Sequence, residues 1–130
     1  LKTIFTNGCF DILHRGHVEL LRFCRSCGDI VIVGLNSDES VTRLKGSDRP
    51  INSQSDRKFL LESLVFVDRV ILFDEDTPYN LISSLMPDMI VKGGDYNLED
   101  VVGSNLCEVK IFGLVNGHST TKTIKDISNR

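Results

Sequence analysis

The chain has 130 residues, 41% of them hydrophobic, with a formal net charge of -3 and a pI near 5.5. That composition builds one continuous core without disulfides, so a single domain over residues 1–130 is expected. The acidic balance argues against a nucleic-acid surface, which needs clustered Lys and Arg, and no apolar run approaches the roughly 20 residues that span a bilayer.

In chain order, residues 2–6 read as a first strand. From 16 to 27 the residues Val18, Leu20, Leu21, Phe23, Cys24 and Cys27 recur at three- and four-residue spacing, which predicts the first crossover helix. Gly28 stands where a helix end wants a left-handed residue. Residues 30–35 are apolar at every position and rich in β-branched side chains, as in a strand covered on both faces. A polar, Gly-containing loop carrying Lys45 follows. A second helix is expected from Ser55 or Asp56 to Leu64, with Phe59, Leu60 and Leu64 on one face. After a strand at 69–73, a third helix begins at Thr77-Pro78, with Thr as cap and Pro in the first turn. Strands at 89–91 and 109–112 and a last helix near Ser119 complete the pattern. This βαβ rhythm predicts an α/β, doubly wound, mostly parallel five-stranded sheet with helices on both faces. No internal repeat or linker suggests a second domain.

Cys9, Cys24, Cys27 and Cys107 suit reduced thiols better than a secreted disulfide framework, so a cytoplasmic location is expected. A start at Leu1 rather than Met leaves room for an upstream segment or domain.

The chemistry concentrates where the first strand turns into the first helix, in Asn7-Gly8-Cys9-Phe10-Asp11 and His14-Arg15-Gly16-His17. Ligands of open α/β sheets bind at the carboxyl ends of the strands, and a helix N-terminus there favours phosphate. His14 and His17 lie three residues apart, so both imidazoles can serve one phosphate group, and Gly16 leaves room for its approach. The competing reading is that the two rings only cap and pack the helix. A zinc site built from Cys9, His14 and His17 is weaker, because no paired cysteines complete a closed set. Lys45 can swing over a bound triphosphate, or it is a solvated surface lysine. Lys92-Gly93-Gly94-Asp95 follows the fourth strand at the same sheet edge, where paired glycines let a base lie against the backbone. Ser119-Thr120-Thr121 opens the last helix as a second phosphate mouth. Asp11, Asn36 and Asp38 either bind sugar hydroxyls or hold Arg and Lys side chains.

The HxGH signature after a first strand resembles the cytidylyltransferase-like branch of the class I aminoacyl-tRNA synthetase-related nucleotidyltransferases. Further blocks in order, Gly34 to Val41, Arg43-Leu44-Lys45-Gly46, Arg49-Pro50-Ile51, Val91 to Tyr96 and Gly117 to Thr121, closely resemble the D-glycero-D-manno-heptose 1-phosphate adenylyltransferases. They cover nearly the whole chain. In bifunctional members this domain follows a sugar kinase, whereas the sequence in hand is similar to the single-function members. The resemblance implies adenylyl transfer from ATP to a heptose 1-phosphate with release of pyrophosphate, Mg²⁺ accompanying the ATP, and a homodimer. Catalysis then rests on His14, His17 and Lys45. Nucleotide contacts come from Gly8, Cys9, Phe10, Gly16, Gly93, Asp95, Ser119, Thr120 and Thr121, with Lys122 adding charge. Sugar-phosphate contacts come from Asn7, Asp11, Asn36, Asp38 and Lys92. Arg57 heads a pattern similar to one used near the branch's subunit contact, and Glu62 and Asp68 are expected to be structural.

Two rivals stand beside this reading. Glycerol 3-phosphate cytidylyltransferases share the HxGH and a Ser-Thr-Thr-Lys ending, but the arginine they carry just before it is absent from Leu114-Val115-Asn116. A non-catalytic nucleotide-binding module would show damage to the His pair or the lysine segment, and neither is damaged. A redox dinucleotide enzyme is disfavoured because no GxGxxG turn follows the first strand.

Overall fold

The structure is a computed structural model that describes residues 1–113. Five strands, β1 (Thr3–Gly8), β2 (Ile30–Asn36), β3 (Arg69–Phe73), β4 (Met89–Gly93) and β5 (Glu108–Phe112), form one all-parallel sheet in the order β3-β2-β1-β4-β5. The helices are α1 (Arg15–Cys27), α2 (Asp38–Lys45), α3 (Gln54–Glu62) and α4 (Tyr79–Leu85), with a short 3₁₀ turn at Leu98–Asp100. The chain winds outward from β1 through β2 to β3, then returns to the other side of β1 for β4 and β5. Such a reversal opens a crevice at the carboxyl ends of the two central strands. Pairing across it is short: Ile4 meets Met89 and Phe5 meets Ile90, whereas β1 stays in register with β2 from Thr3–Ile30 to Gly8–Leu35.

Alternation along β1 and β2 sends neighbouring side chains into opposite layers. Ile4 and Val31 pack with Leu20 and Cys24 of α1, while Phe5 and Ile32 pack with Ile82 of α4 on the other face. This is why β2 carries no polar residue until Asn36. Cys24 is fully buried and Cys27 packs against the same cluster, consistent with core thiols.

Four local expectations are corrected. Gly28 is extended (φ -166, ψ -171) rather than left-handed, and glycine is needed for space, since a Cβ would lie 2.7 Å from Ile4 Cγ1 and 2.8 Å from the Lys2 carbonyl. The expected polar loop after β2 is the helix α2: Ser37 Oγ accepts from Ser40 N–H at 3.2 Å, acidic residues fill the first turn and Arg43 and Lys45 the last. Helix α3 starts at Gln54, capped by Ser53, and the residues it buries are Arg57 and Leu61, while Phe59 is 70% exposed. Pro78, not Thr77, caps α4, its carbonyl accepting from Ile82 N–H at 2.9 Å. The helix expected near Ser119 lies outside the described residues.

Candidate active site

A cavity of about 580 Å³ opens at the carboxyl ends of β1, β2 and β4, a usual size for a small-molecule site. Its wall is built first by the turn after β1. Phe10 sits at φ 45, a left-handed conformation that costs a non-glycine residue roughly 1 to 2 kcal/mol. The turn carries its ring into the core beside Leu21 and Leu35, and 5.1 Å from the His17 ring. A Cβ on Gly8 would stand 3.1 Å from that ring, so glycine precedes it.

Helix α1 then starts with a reciprocal capping box made of imidazoles. Nδ1 of His14 accepts from Gly16 N–H at 3.0 Å, and Nδ1 of His17 accepts from His14 N–H at 3.3 Å. An accepting nitrogen carries no proton, so each neutral ring keeps its proton on Nε2. The rings stack with centroids 3.9 Å apart. Burial of His17, with His14 close by, pushes its pKa down to about 4, so it is neutral at pH 7. Both rings line the cavity. The expectation of unpaired backbone N–H groups at this helix mouth is corrected for Gly16 and His17, whose N–H groups are both spent on His14. The same pair of imidazoles thus caps α1 and lines the cavity. Gly16 itself is buried and does not line the cavity.

Asp11 and Asp38 hold cations rather than facing the cavity. The Asp11 carboxylate, buried in the turn, accepts from Arg49 Nε and from the N–H groups of Ile51 and Asn52, each at 2.9 Å. Burial alone would raise its pKa, but the N–H groups of Asn52 and Ile51 and the Arg49 guanidinium outweigh it and hold the carboxyl below its ordinary value. Asp38 Oδ1 accepts from Arg57 at 2.9 Å. Arg57 is the connection that sequence reasoning left undefined. It is 1% exposed and also donates to the carbonyls of Asn52, Cys9 and Asn36, tying the turn after β1, the end of β2 and the start of α3 together. Its only sequence signal is an arginine at the core-facing position of α3.

Asn7, Cys9 and Asn36 line the cavity, and Asn36 Nδ2 donates to Ser40 Oγ at 3.0 Å. Lys45, at the exposed end of α2, and Lys92, at the end of β4, face it from opposite sides of β1. Burial, with Lys45 adding to it and Cys9 opposing, lowers the Lys92 pKa, and its Nζ lies 5.2 Å from the centre of the Tyr96 ring. Burial also raises the Cys9 thiol pKa, against the pull of Lys45, Arg57 and Arg49. Gly93 is set back from the cavity, and Asp95 lines an adjoining shallower concavity of about 440 Å³ that shares Tyr96 and Asp100 with it. Arg49, Asp76, Thr77, Pro78 and Val101 are among the further lining residues that had not been marked as site residues in the sequence. Ser119, Thr120 and Thr121 lie outside the described residues. Among the described residues, no three His, Cys, Asp or Glu side chains converge as a metal cage.

The family model described as cytidylyltransferase-like matches residues 5–128. The chain belongs to the cytidylyltransferase-like family. Its family makes it a nucleotidyltransferase domain, as the HxGH turn suggested. It is 58% identical over 98% of its length to the protein named bifunctional protein HldE of Campylobacter concisus, and 58% identical over 97% to that of Wolinella succinogenes. It spans 28% and 27% of those two proteins. The solved lipopolysaccharide core biosynthesis protein from Thermoplasma volcanium superposes with a TM-score of 0.73 at 29% identity, covering 88% of this chain and 96% of that one. The five-stranded parallel sheet is therefore the cytidylyltransferase-like architecture. No described helix is long and apolar enough to cross a membrane.

Proposed function

We propose that this cytidylyltransferase-like chain transfers the adenylyl group of ATP to a heptose 1-phosphate, forming a nucleotide sugar and pyrophosphate. The observation that carries this reading is the pair of stacked imidazoles lining the cavity, with the Nδ1 of His17 occupied by the helix cap so that its Nε2–H is a preset donor, and with Lys45 and Lys92 facing the same space. Donors fixed before the reaction stabilise charge as it develops, without reorganisation. An oxygen of the sugar phosphate attacks the α-phosphorus, the new P–O bond forms, and the bond from that phosphorus to the bridging oxygen breaks with its electron pair leaving on pyrophosphate. The attacking phosphate is already ionised at neutral pH, so no general base is needed. His14, His17 and Lys45 stabilise charge on the transferring and leaving groups, and Lys92 attracts the anionic substrates. The apolar wall at Pro78 and Val101 suits a base or sugar face.

Magnesium belongs to the same proposal as a companion of the triphosphate, held by phosphate oxygens and water. The described side chains form no cage for it, so no step above passes through it. A cytoplasmic homodimer is also part of the reading, supported by free thiols and by the exposed Phe59, Leu60 and Val65. Just after α3, Val65 is exposed, while Leu64, Phe66 and Val67 pack on the core.

The test is pyrophosphate release with Mg²⁺ and each of ATP, CTP, GTP and UTP, against heptose 1-phosphate and glycerol 3-phosphate. Release with ATP and the heptose is expected. Release with CTP and glycerol 3-phosphate would move the chain to that sister activity, and nucleotide binding without release in any pairing would favour a binding module.

A further inference from the structure

The segment between α2 and α3 has no role in the transfer described so far, yet its Arg49 is fixed at every level. The Arg49 N–H donates to the Gly46 carbonyl at 3.2 Å, and its carbonyl accepts from Thr42 Oγ1 at 2.7 Å. Its side chain is only 10% exposed, lines the cavity, and gives Nε to Asp11 Oδ2 at 2.9 Å. Asp11 is itself held by the N–H groups of Ile51 and Asn52. A guanidinium has five N–H donors in a fixed fork, and Asp11 takes only the one on Nε. Among the described residues, no protein group accepts from Nη1 or Nη2 of Arg49. With Nε held by Asp11, the remaining donors are open to the cavity that the side chain lines, and the paired Nη groups of arginine match two oxygens of one phosphate.

We propose that Arg49 is a phosphate-binding residue of this cavity, gripping two oxygens of a substrate phosphate through Nη1 and Nη2, and that Asp11 is its positioning residue. This rests on the transfer reading for the identity of the substrates. The phosphate belongs either to the triphosphate tail or to the sugar phosphate, and the same experiment separates them. Lysine at position 49 can still pair with Asp11, but its single ammonium cannot serve Asp11 and a phosphate fork together.

Initial rates of wild type, R49K and R49Q are measured with ATP and heptose 1-phosphate varied in turn, alongside thermal unfolding and calorimetric binding of ATP and inorganic phosphate. In both variants the KM for one substrate should rise about tenfold or more while the other stays within twofold, with R49K unfolding within a few degrees of wild type. A selective rise for ATP assigns the grip to the triphosphate, and a selective rise for the heptose assigns it to the acceptor. Equal losses for both substrates, no loss, or full restoration by R49K overturn the proposal. If wild type shows no turnover the transfer reading fails instead, and the Arg49 inference is then decided by whether R49Q loses the wild-type binding of ATP or inorganic phosphate.

Discussion

The backbone N–H of His14 donates to Nδ1 of His17 at 3.3 Å, so the cap of α1 decides which nitrogen of His17 carries the proton. The bond that starts the helix therefore also sets the donor that the cavity receives. Replacing His17 removes both at once, but the two losses differ in size. His17→Ala should lower kcat/KM by about 10²- to 10³-fold, as for loss of a preset charge-stabilising donor. Unfolding stability should fall by roughly 1 to 2 kcal/mol, as for a lost cap and a small side-chain truncation. Steady-state kinetics beside urea unfolding check this, and unchanged turnover would remove His17 from the mechanism.

Stability should depend on pH through the same ring. The pKa of His17 is about 4 folded and 6.5 in its unperturbed state, so between those values the unfolded chain takes up a proton that the folded chain refuses. Unfolding is then favoured as pH falls from about 6.5 to 4, and the contribution is flat above and below that window. The full effect is roughly 3 kcal/mol at 1.36 kcal/mol for each pKa unit. Urea unfolding from pH 4 to 8 should show stability rising with pH in this range, and His17→Gln should flatten it. Asp11 acts lower: its folded pKa is depressed, so its contribution is present above its ordinary value of 3.8 and is lost as pH falls through the folded value.

Arg57→Met should be among the most damaging single changes away from the cavity wall. It leaves the carbonyls of Cys9, Asn36 and Asn52 without their donor and Asp38 without its partner. Breaking a buried charged network of this kind costs roughly 3 to 5 kcal/mol. The urea midpoint measures it, and a loss below about 1 kcal/mol would show that the three carbonyls find other donors.

Gly28→Ala tests close approach in place of backbone strain. Its extended backbone suits any residue, but an added Cβ meets the Lys2 carbonyl at 2.8 Å, a backbone atom that cannot rotate away. Thermal unfolding should show a loss of roughly 1 to 3 kcal/mol, as for overpacking.

The sheet was legible because β2 is apolar at every position through Leu35, a pattern that only two-sided cover explains, and because α1 buries Leu20, Leu21 and Cys24 at helical spacing. Helix α2 was not, since it buries only Ser40 and Val41 and its polar remainder resembles a loop; its readable signals were Ser37 followed by two acids and the basic last turn ending at Gly46. The placing of both His rings at the cavity was legible from their spacing, the glycine between them and their position after the first strand. The partners of Asp11 and Asp38 were not, because Arg49 and Arg57 reach them across 38 and 19 residues of sequence. Arg57 also reversed the expected face of α3: once it enters the core, Leu61 one turn later must follow and Phe59 turns outward.

The short pairing between β1 and β4 gives the cavity a seam. The His pair and Lys45 come from the half of the chain before β3, and Lys92 and Tyr96 from the half after it, while among the described residues the two halves pair in the sheet at Ile4–Met89 and Phe5–Ile90, with Asp88 bonded to Thr3 beside them. A substrate lying across the cavity therefore clasps the halves together where the sheet itself holds them least, and its binding free energy is added to their docking. A cut between β3 and α4 would separate two pieces that each hold part of the site and neither its opposite wall, so that turnover reports on the completeness of the fold as well as on the chemistry.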